Sequence, residues 1–126
     1  MWPCPSCHTI TSEFGWRYHP IYHTQKYHSG VDIGASYGAS IVAADGGTVI
    51  TAGAVSGYGN CVVINHGNGI TTLYGHMSSI AVSSGQKVSK GQTIGYVGST
   101  GNSTGPHLHW EVTVNGVRQN PLNYAR

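Results

Sequence analysis

The chain has 126 residues and a formal net charge of +2; charged residues make up only 8% and hydrophobic residues 39%. That length suits one domain around a single core. Sparse charge excludes coiled coils and long amphipathic helices, whose exposed faces need it, and six scattered Lys and Arg form no nucleic-acid-binding stripe.

Residues 1–9 read as a lead-in. Met1-Trp2-Pro3-Cys4-Pro5 has neither the basic nor the apolar region of a signal peptide. Cys4-Pro5-Ser6-Cys7-His8 matches the haem-attachment pattern C-x-x-C-H. The same run suits half a zinc knuckle or a local disulfide, but no second C-x-x-C completes a knuckle. Beyond it, short stretches rich in Val, Ile, Thr and Tyr, bounded by Gly, Asn and Ser, predict strands over 31–33, 41–44, 48–52, 60–65, 70–74, 93–97 and 107–114. Cys61 opens an apolar run and reads as a buried small hydrophobe. His66-Gly67-Asn68-Gly69 and Asn115-Gly116 predict hairpin turns, the second leading into Val117-Arg118. Apolar residues nowhere recur at helical spacing for three turns, so at most one helical turn is expected, near 78–80. Residues 46–86 carry no Asp, Glu, Lys or Arg, yet their Gly, Ser, Thr, Asn and His exclude a transmembrane helix. Gly46-Gly47-Thr48-Val49 to Gly53 and Gly91-Gln92-Thr93-Ile94 to Gly98 form a faint repeat, which would suit a duplicated strand-turn unit.

Eight histidines stand beside four carboxylates, Glu13, Asp32, Asp45 and Glu111. His8 and His23 read as solvated loop residues, His66 as a structural residue at a strand end, and His19 falls outside the tight patterns. In His107-Leu108-His109, strand parity sends both imidazoles to one face and Leu108 and Trp110 to the other. Gly105-Pro106 disfavours a helix there. In His28-Ser29-Gly30-Val31-Asp32, an extended path would put positions 28, 30 and 32 on one face, with nothing at Gly30 to obstruct it. Two imidazoles and a carboxylate suit zinc, and three protein ligands leave one position open for water. The third ligand comes from the H-x-H pair, which parity alone does not resolve. His76 and the other member then remain to orient the water, take its proton or donate to an oxyanion. Glu111 shares the strand face of His107 and His109 but is placed outside the ligand set. No H-E-x-x-H helix supplies a glutamate base.

Five segments in order carry a resemblance: Phe14-Gly15-Trp16-Arg17-Tyr18-His19-Pro20, His28-Ser29-Gly30-Val31-Asp32-Ile33, Leu73-Tyr74-Gly75-His76-Met77, residues 85–92, and the run from Ser99 through Gly105-Pro106-His107-Leu108-His109-Trp110-Glu111. Together they closely resemble the lysostaphin-like (LytM-type) zinc metallopeptidases, over residues 10–124. The resemblance implies an all-β fold, an antiparallel sheet or sandwich with a groove over the main sheet. It implies one zinc ion on His28, Asp32 and His109, with His76 and His107 catalytic. It implies hydrolysis of peptide bonds in bacterial peptidoglycan, in cross-bridges or stem peptides, outside the cell or at the wall. Asn102 and Ser103 would shape the groove, and Tyr22 would line it or assist the intermediate. The catalytic domain is assigned to residues 10–126 and expected to be monomeric. Cys4 and Cys7 depart from the family pattern, as does Cys61.

A non-catalytic peptidoglycan-binding or regulatory domain of the same fold is the alternative, but such a domain needs no intact set of five site residues. Residues 85–98 also have the look of a biotinyl or lipoyl carrier hairpin; carriers need a lysine at a tight turn tip, and Lys87 and Lys90 are not read as one. A phosphohistidine-transfer protein would need paired histidines but no H-x-x-x-D.

Overall fold

The structure, a computed structural model, describes residues 1–19, 24–101 and 105–125. Every strand pairing among these residues is antiparallel. Among the described residues twelve strands run in chain order: β1 (Thr9–Ser12), β2 (Gly15–His19), β3 (Thr24–His28), β4 (Val31–Gly34), β5 (Ser40–Val42), β6 (Gly47–Val55), β7 (Gly59–Gly67), β8 (Ile70–Ile80), β9 (Lys87–Val88), β10 (Thr93–Val97), β11 (His107–Val114) and β12 (Val117–Gln119). The only helical element among the described residues is a 3-10 turn, Pro121–Tyr124. Ten strands share one sheet whose main path is β1-β4-β11-β8-β7-β6-β9; β10 bridges β5 and β8, β12 extends β11, and β2–β3 form a separate hairpin.

All seven expected strands are present. The two hairpin turns form as read, with Asn68 and Gly69 at φ 53° and 78° and Asn115 and Gly116 at 51° and 80°, the positive angles that Asn-Gly turns supply. Both copies of the faint repeat lie on strands, β6 and β10. One expectation fails. Residues 78–80 are not a helical turn but the end of β8, where Ser79 and Ile80 pair with Tyr96 and Gly95. Ser78 and Ser79 give no local strand signal there, and pairing with β10 decides. Lys90, contrary to expectation, does lie in a tight turn, closed by Gln92 N–H donating to the Ser89 carbonyl at 3.0 Å.

The core follows from strand parity. On β11, Leu108, Trp110 and Val112 are fully buried, and each such apolar side chain contributes roughly 1.5–3 kcal/mol. On β4, Val31 and Ile33 do the same. The alternate residues, His107, His109 and Glu111 on β11 and Asp32 on β4, therefore emerge together on the other face. Register aligns them further: His109 lies opposite Asp32 on one side and opposite Gly75 of β8 on the other.

Candidate metal centre and active site

Asp32 is the hub. Its Oδ1 lies 2.8 Å from His109 Nδ1, and its Oδ2 lies 3.4 Å from His28 Nε2. One ligand atom from each of His28, Asp32 and His109 lies within 4.8 Å of the others. Ligands at about 2.1 Å from a tetrahedral ion stand roughly 3.4 Å apart. Two imidazoles and one carboxylate so spaced fit zinc, and no other such cluster occurs among the described residues.

His28 reaches Asp32 by a route different from the one the sequence suggests. Residues 28–32 are not one extended strand. His28 ends β3, residues 29–30 bend, and Asp32 lies on β4. The bend must carry glycine, because a Cβ at Gly30 would strike the Trp110 carbonyl and Glu111 Cγ. Ser29 fixes it by donating to Glu111 Oε2 at 2.7 Å.

His76 arrives on a bulge. Pairing of β7 with β8 shifts register between Asn60 and Val62, and pairing of β10 with β8 between Tyr96 and Val97. His76 has φ 61°, an uncommon angle for a side-chain-bearing residue that needs support from its surroundings. Its N–H donates to the Tyr58 carbonyl at 2.7 Å and its carbonyl accepts from Gly98 N–H at 3.0 Å. The ring stands 4.7 Å from that of His107 and 6.0 Å from that of His109, centroid to centroid.

Hydrogen bonds divide the four rings. His28, His76 and His107 each donate Nδ1–H to a main-chain carbonyl: Glu13 at 2.8 Å, Thr100 at 2.6 Å and Gly105 at 3.0 Å. A carbonyl only accepts, so the neutral ring keeps its lone pair on Nε2. His107 Nε2 is 3.7 Å from Asp32 Oδ1. His109 is reversed. Its Nε2–H donates to Glu111 Oε2 at 2.8 Å, and Nδ1 faces Asp32. A carboxylate behind a ligating histidine fixes the tautomer and raises ligand basicity.

Glu111 is the residue the sequence undervalued. It lies directly behind His109, hydrogen-bonded to that ring's Nε2. Its Oε2 accepts from His109, from Ser29 and from Tyr58 Oη at 2.6 Å, and its Oε1 accepts from Arg118 Nε at 3.1 Å. Burial pushes the Glu111 acid up, but the His109, Tyr58 and Ser29 bonds outweigh it and hold the group at about 2. Burial likewise pushes His109 down, and the Asp32 and Glu111 carboxylates override it, raising the ring to about 9 without a metal. Asp32 is lowered in turn, burial being outweighed by His109, His28 and His107. His76 is lowered, first by burial and then by the charges of His107 and His109, against the Thr100 carbonyl. Tyr58 comes from the β6–β7 turn, and no local motif marks it.

A cleft of about 350 Å3 opens beside Asp32 and His107, walled by Thr11, Ser12, Gly34, Gly105 and Pro106. Tyr22, Asn102 and Ser103, proposed for the groove, lie outside the described residues, as does His23. His8 is exposed, as expected. No described helix is long and apolar enough to cross a membrane.

Residues 26–121 match Peptidase family M23. The chain is 47% identical over 116 residues to the DD-carboxypeptidase/endopeptidase Mpg of Neisseria meningitidis, covering 92% of this chain and 27% of that protein. It is 42% identical over 96 residues to the murein hydrolase activator NlpD of Salmonella dublin, covering 75% of this chain and 25% of that protein. The chain thus spans about a quarter of the length of these relatives. The crystal structure of a zinc-containing peptidase from Vibrio cholerae superposes with a TM-score of 0.87 at 37% identity, over 94% of this chain and 37% of that one. The lysostaphin-like fold anticipated from the motifs is the one observed, and the chain belongs to peptidase family M23.

Proposed function

We propose that the chain is a zinc-dependent endopeptidase that hydrolyses peptide bonds in bacterial peptidoglycan, in a cross-bridge or a stem peptide. The observation that carries this reading is the convergence of His28 Nε2, an Asp32 oxygen and His109 Nδ1 on one point, with the His76 and His107 rings beside it, tilted at 53° to each other. Zinc bound by those three residues would supply a Lewis acid for the scissile carbonyl and lower the pKa of a water to roughly 7. His76 and His107 act on the proton and the developing charge. His76, held neutral by burial and by its histidine neighbours, offers a lone pair on Nε2. Together the two rings accept the water's proton and return it to the leaving amine, or donate to the oxyanion. Glu111, with Ser29, Tyr58 and Arg118 around it, holds His109 with Nδ1 forward. The cleft beside Asp32 and His107, walled in part by Thr11 and Ser12, is where the substrate peptide would lie.

The catalytic unit is proposed to be residues 10–126, acting as a monomer at the wall or outside the cell, with Tyr22, Asn102 and Ser103 on the substrate side. The likeness to NlpD supports a second reading, an activator or wall-binding domain without its own hydrolysis. Retention of all five site residues weighs against it, since binding alone needs no paired histidines beside a metal. Purified peptidoglycans, one glycine-bridged and one directly cross-linked, separate the two readings. Chelator-sensitive new peptide termini, found by mass spectrometry of the soluble fragments, are the expected result and identify the bond. No fragments from either, with zinc supplied, would favour the activator.

A further inference from the structure

Cys4 and Cys7 play no part in that site, and the geometry brings them together. Cys7 N–H donates to the Cys4 carbonyl at 3.0 Å, closing residues 4–7 into a turn. A turn of this kind holds its end Cα atoms within about 7 Å, the range a disulfide spans. Both cysteines belong to the hydrophobic core, Cys4 fully buried and Cys7 9% exposed. The turn is tied down on both sides. Trp2 Nε1–H donates to the Cys7 carbonyl at 2.6 Å, and Val42 N–H donates to the Pro3 carbonyl at 2.8 Å. Trp2 meets Trp110 edge-on at 6.1 Å, on the core face of the strand whose other face carries His109 and Glu111.

The other readings of C-x-x-C-H lose their ligands here. His8 stacks on Trp2 at 5.7 Å and 15°, and its Nε2–H donates to the Pro5 carbonyl at 2.9 Å. It is folded back on its own turn and is not presented to a haem iron. Neither cysteine belongs to a cluster of three metal donors among the described residues. Cys61 is buried on β7 and is no member of the turn.

We propose that Cys4 and Cys7 form a reversible disulfide, made by exchange with a small-molecule or protein disulfide, that staples the N-terminal turn beneath β11. This inference stands on the turn alone and does not rest on the peptidase reading. The two thiols are unequal. Burial dominates at Cys4 and pushes it up to about 12; at Cys7 burial is outweighed by hydrogen bonds from Ser6 and Cys4, and the thiol is lowered. Ser6 Oγ lies 3.4 Å from Cys7 Sγ. Cys7 is therefore the attacking thiolate. It displaces one thiolate from the donor disulfide, breaking that S–S bond and forming a mixed disulfide. Cys4 then gives up its proton and attacks the Cys7 sulfur, releasing the second donor thiolate. Two cysteine thiols lose two electrons in all, and one donor disulfide is reduced to two thiols.

The test equilibrates the full chain with excess oxidised glutathione, blocks remaining thiols with iodoacetamide in denaturant and maps the peptides by mass. A Cys4–Cys7 peptide lighter by two hydrogens and unalkylated, with Cys61 alkylated, is expected. The oxidised chain should melt higher than the dithiothreitol-reduced chain by on the order of 5 °C, and the Cys4→Ser/Cys7→Ser double variant should show no such redox dependence. Cys4→Ser should retain glutathione on Cys7, whereas Cys7→Ser should take none on Cys4. Alkylation of both cysteines in the wild type, stable glutathione on wild-type Cys7, or a bridge to Cys61 would overturn the proposal. So would identical melting of the oxidised and reduced forms.

Discussion

His66 lies on the same sheet as His76, His107 and His109, with His28 reaching in from the β2–β3 hairpin, yet its role is the opposite of theirs. His66, at the far end of β7, has both ring nitrogens engaged by neutral groups: Nδ1–H donates to the Gly46 carbonyl at 2.9 Å, and Nε2 is hydrogen-bonded to Thr72 Oγ1 at 2.7 Å. Nothing is left over for chemistry. At the site, a main-chain carbonyl fixes one nitrogen of His28, His76 and His107, and the other nitrogen of His28 and His107 is within 3.7 Å of Asp32. His109 is fixed by a carboxylate instead. The difference teaches that a histidine's role lies less in its burial than in how its second nitrogen is employed.

The comparison breaks most visibly at His109. His109→Ala should lose bound zinc and abolish peptidoglycan hydrolysis, as followed by fragment release. His107→Ala and His76→Ala should each keep zinc and lower turnover by roughly 10²–10⁴-fold. Glu111→Gln sharpens the contrast between carboxylate-fixed and carbonyl-fixed rings. It should weaken zinc binding by about 10–100-fold, measured by competition with a chelating dye. His66→Ala should leave both zinc and turnover as they are and cost about 1–3 kcal/mol of stability, read from the denaturant midpoint. A large loss of turnover in His66→Ala would erase the distinction.

Acidity adds a subtler contrast. In the metal-free chain His109 is raised from 6.5 to about 9, so its stabilisation is complete below pH 6.5 and disappears as pH rises through 9. Glu111 is lowered from 4.5 to about 2, so its stabilisation is complete above pH 4.5 and disappears as pH falls through 2. His76, lowered from 6.5 chiefly by burial, adds a loss as pH falls below 6.5, so metal-free stability should be greatest near pH 6.5 and decline on either side. Zinc should remove the alkaline decline, because the metal takes the place of the His109 proton. A metal-free profile that rises between pH 6.5 and 9 would contradict the His109–Glu111 pairing.

Much of this was legible in the residues. Strand parity in His107-Leu108-His109 gave the shared face and the buried Leu108 and Trp110. Asn-Gly pairs gave the turns. The sequence pairs His28 with Asp32 along an extended path, whereas the chain bends between them, since the close approach of Gly30 to Trp110 is a tertiary fact. The strands β1, β2, β3 and β9 carried no apolar alternation strong enough to mark them. The bulge at His76 was hidden because its positive φ depends on the Tyr58 carbonyl and Gly98 N–H, contributed by residues distant in sequence. Tyr58 and Arg118 were invisible for the same reason: they meet Glu111 only once β6–β7 and β11–β12 have folded. Parity could say that Glu111 faced the site, but not that it lay behind His109.

The most direct measurement is zinc stoichiometry by elemental analysis of the purified wild type, His107→Ala and His109→Ala. One zinc per chain is expected in the wild type and in His107→Ala, and none in His109→Ala. A metal-free His107→Ala beside a zinc-loaded His109→Ala would contradict that expectation.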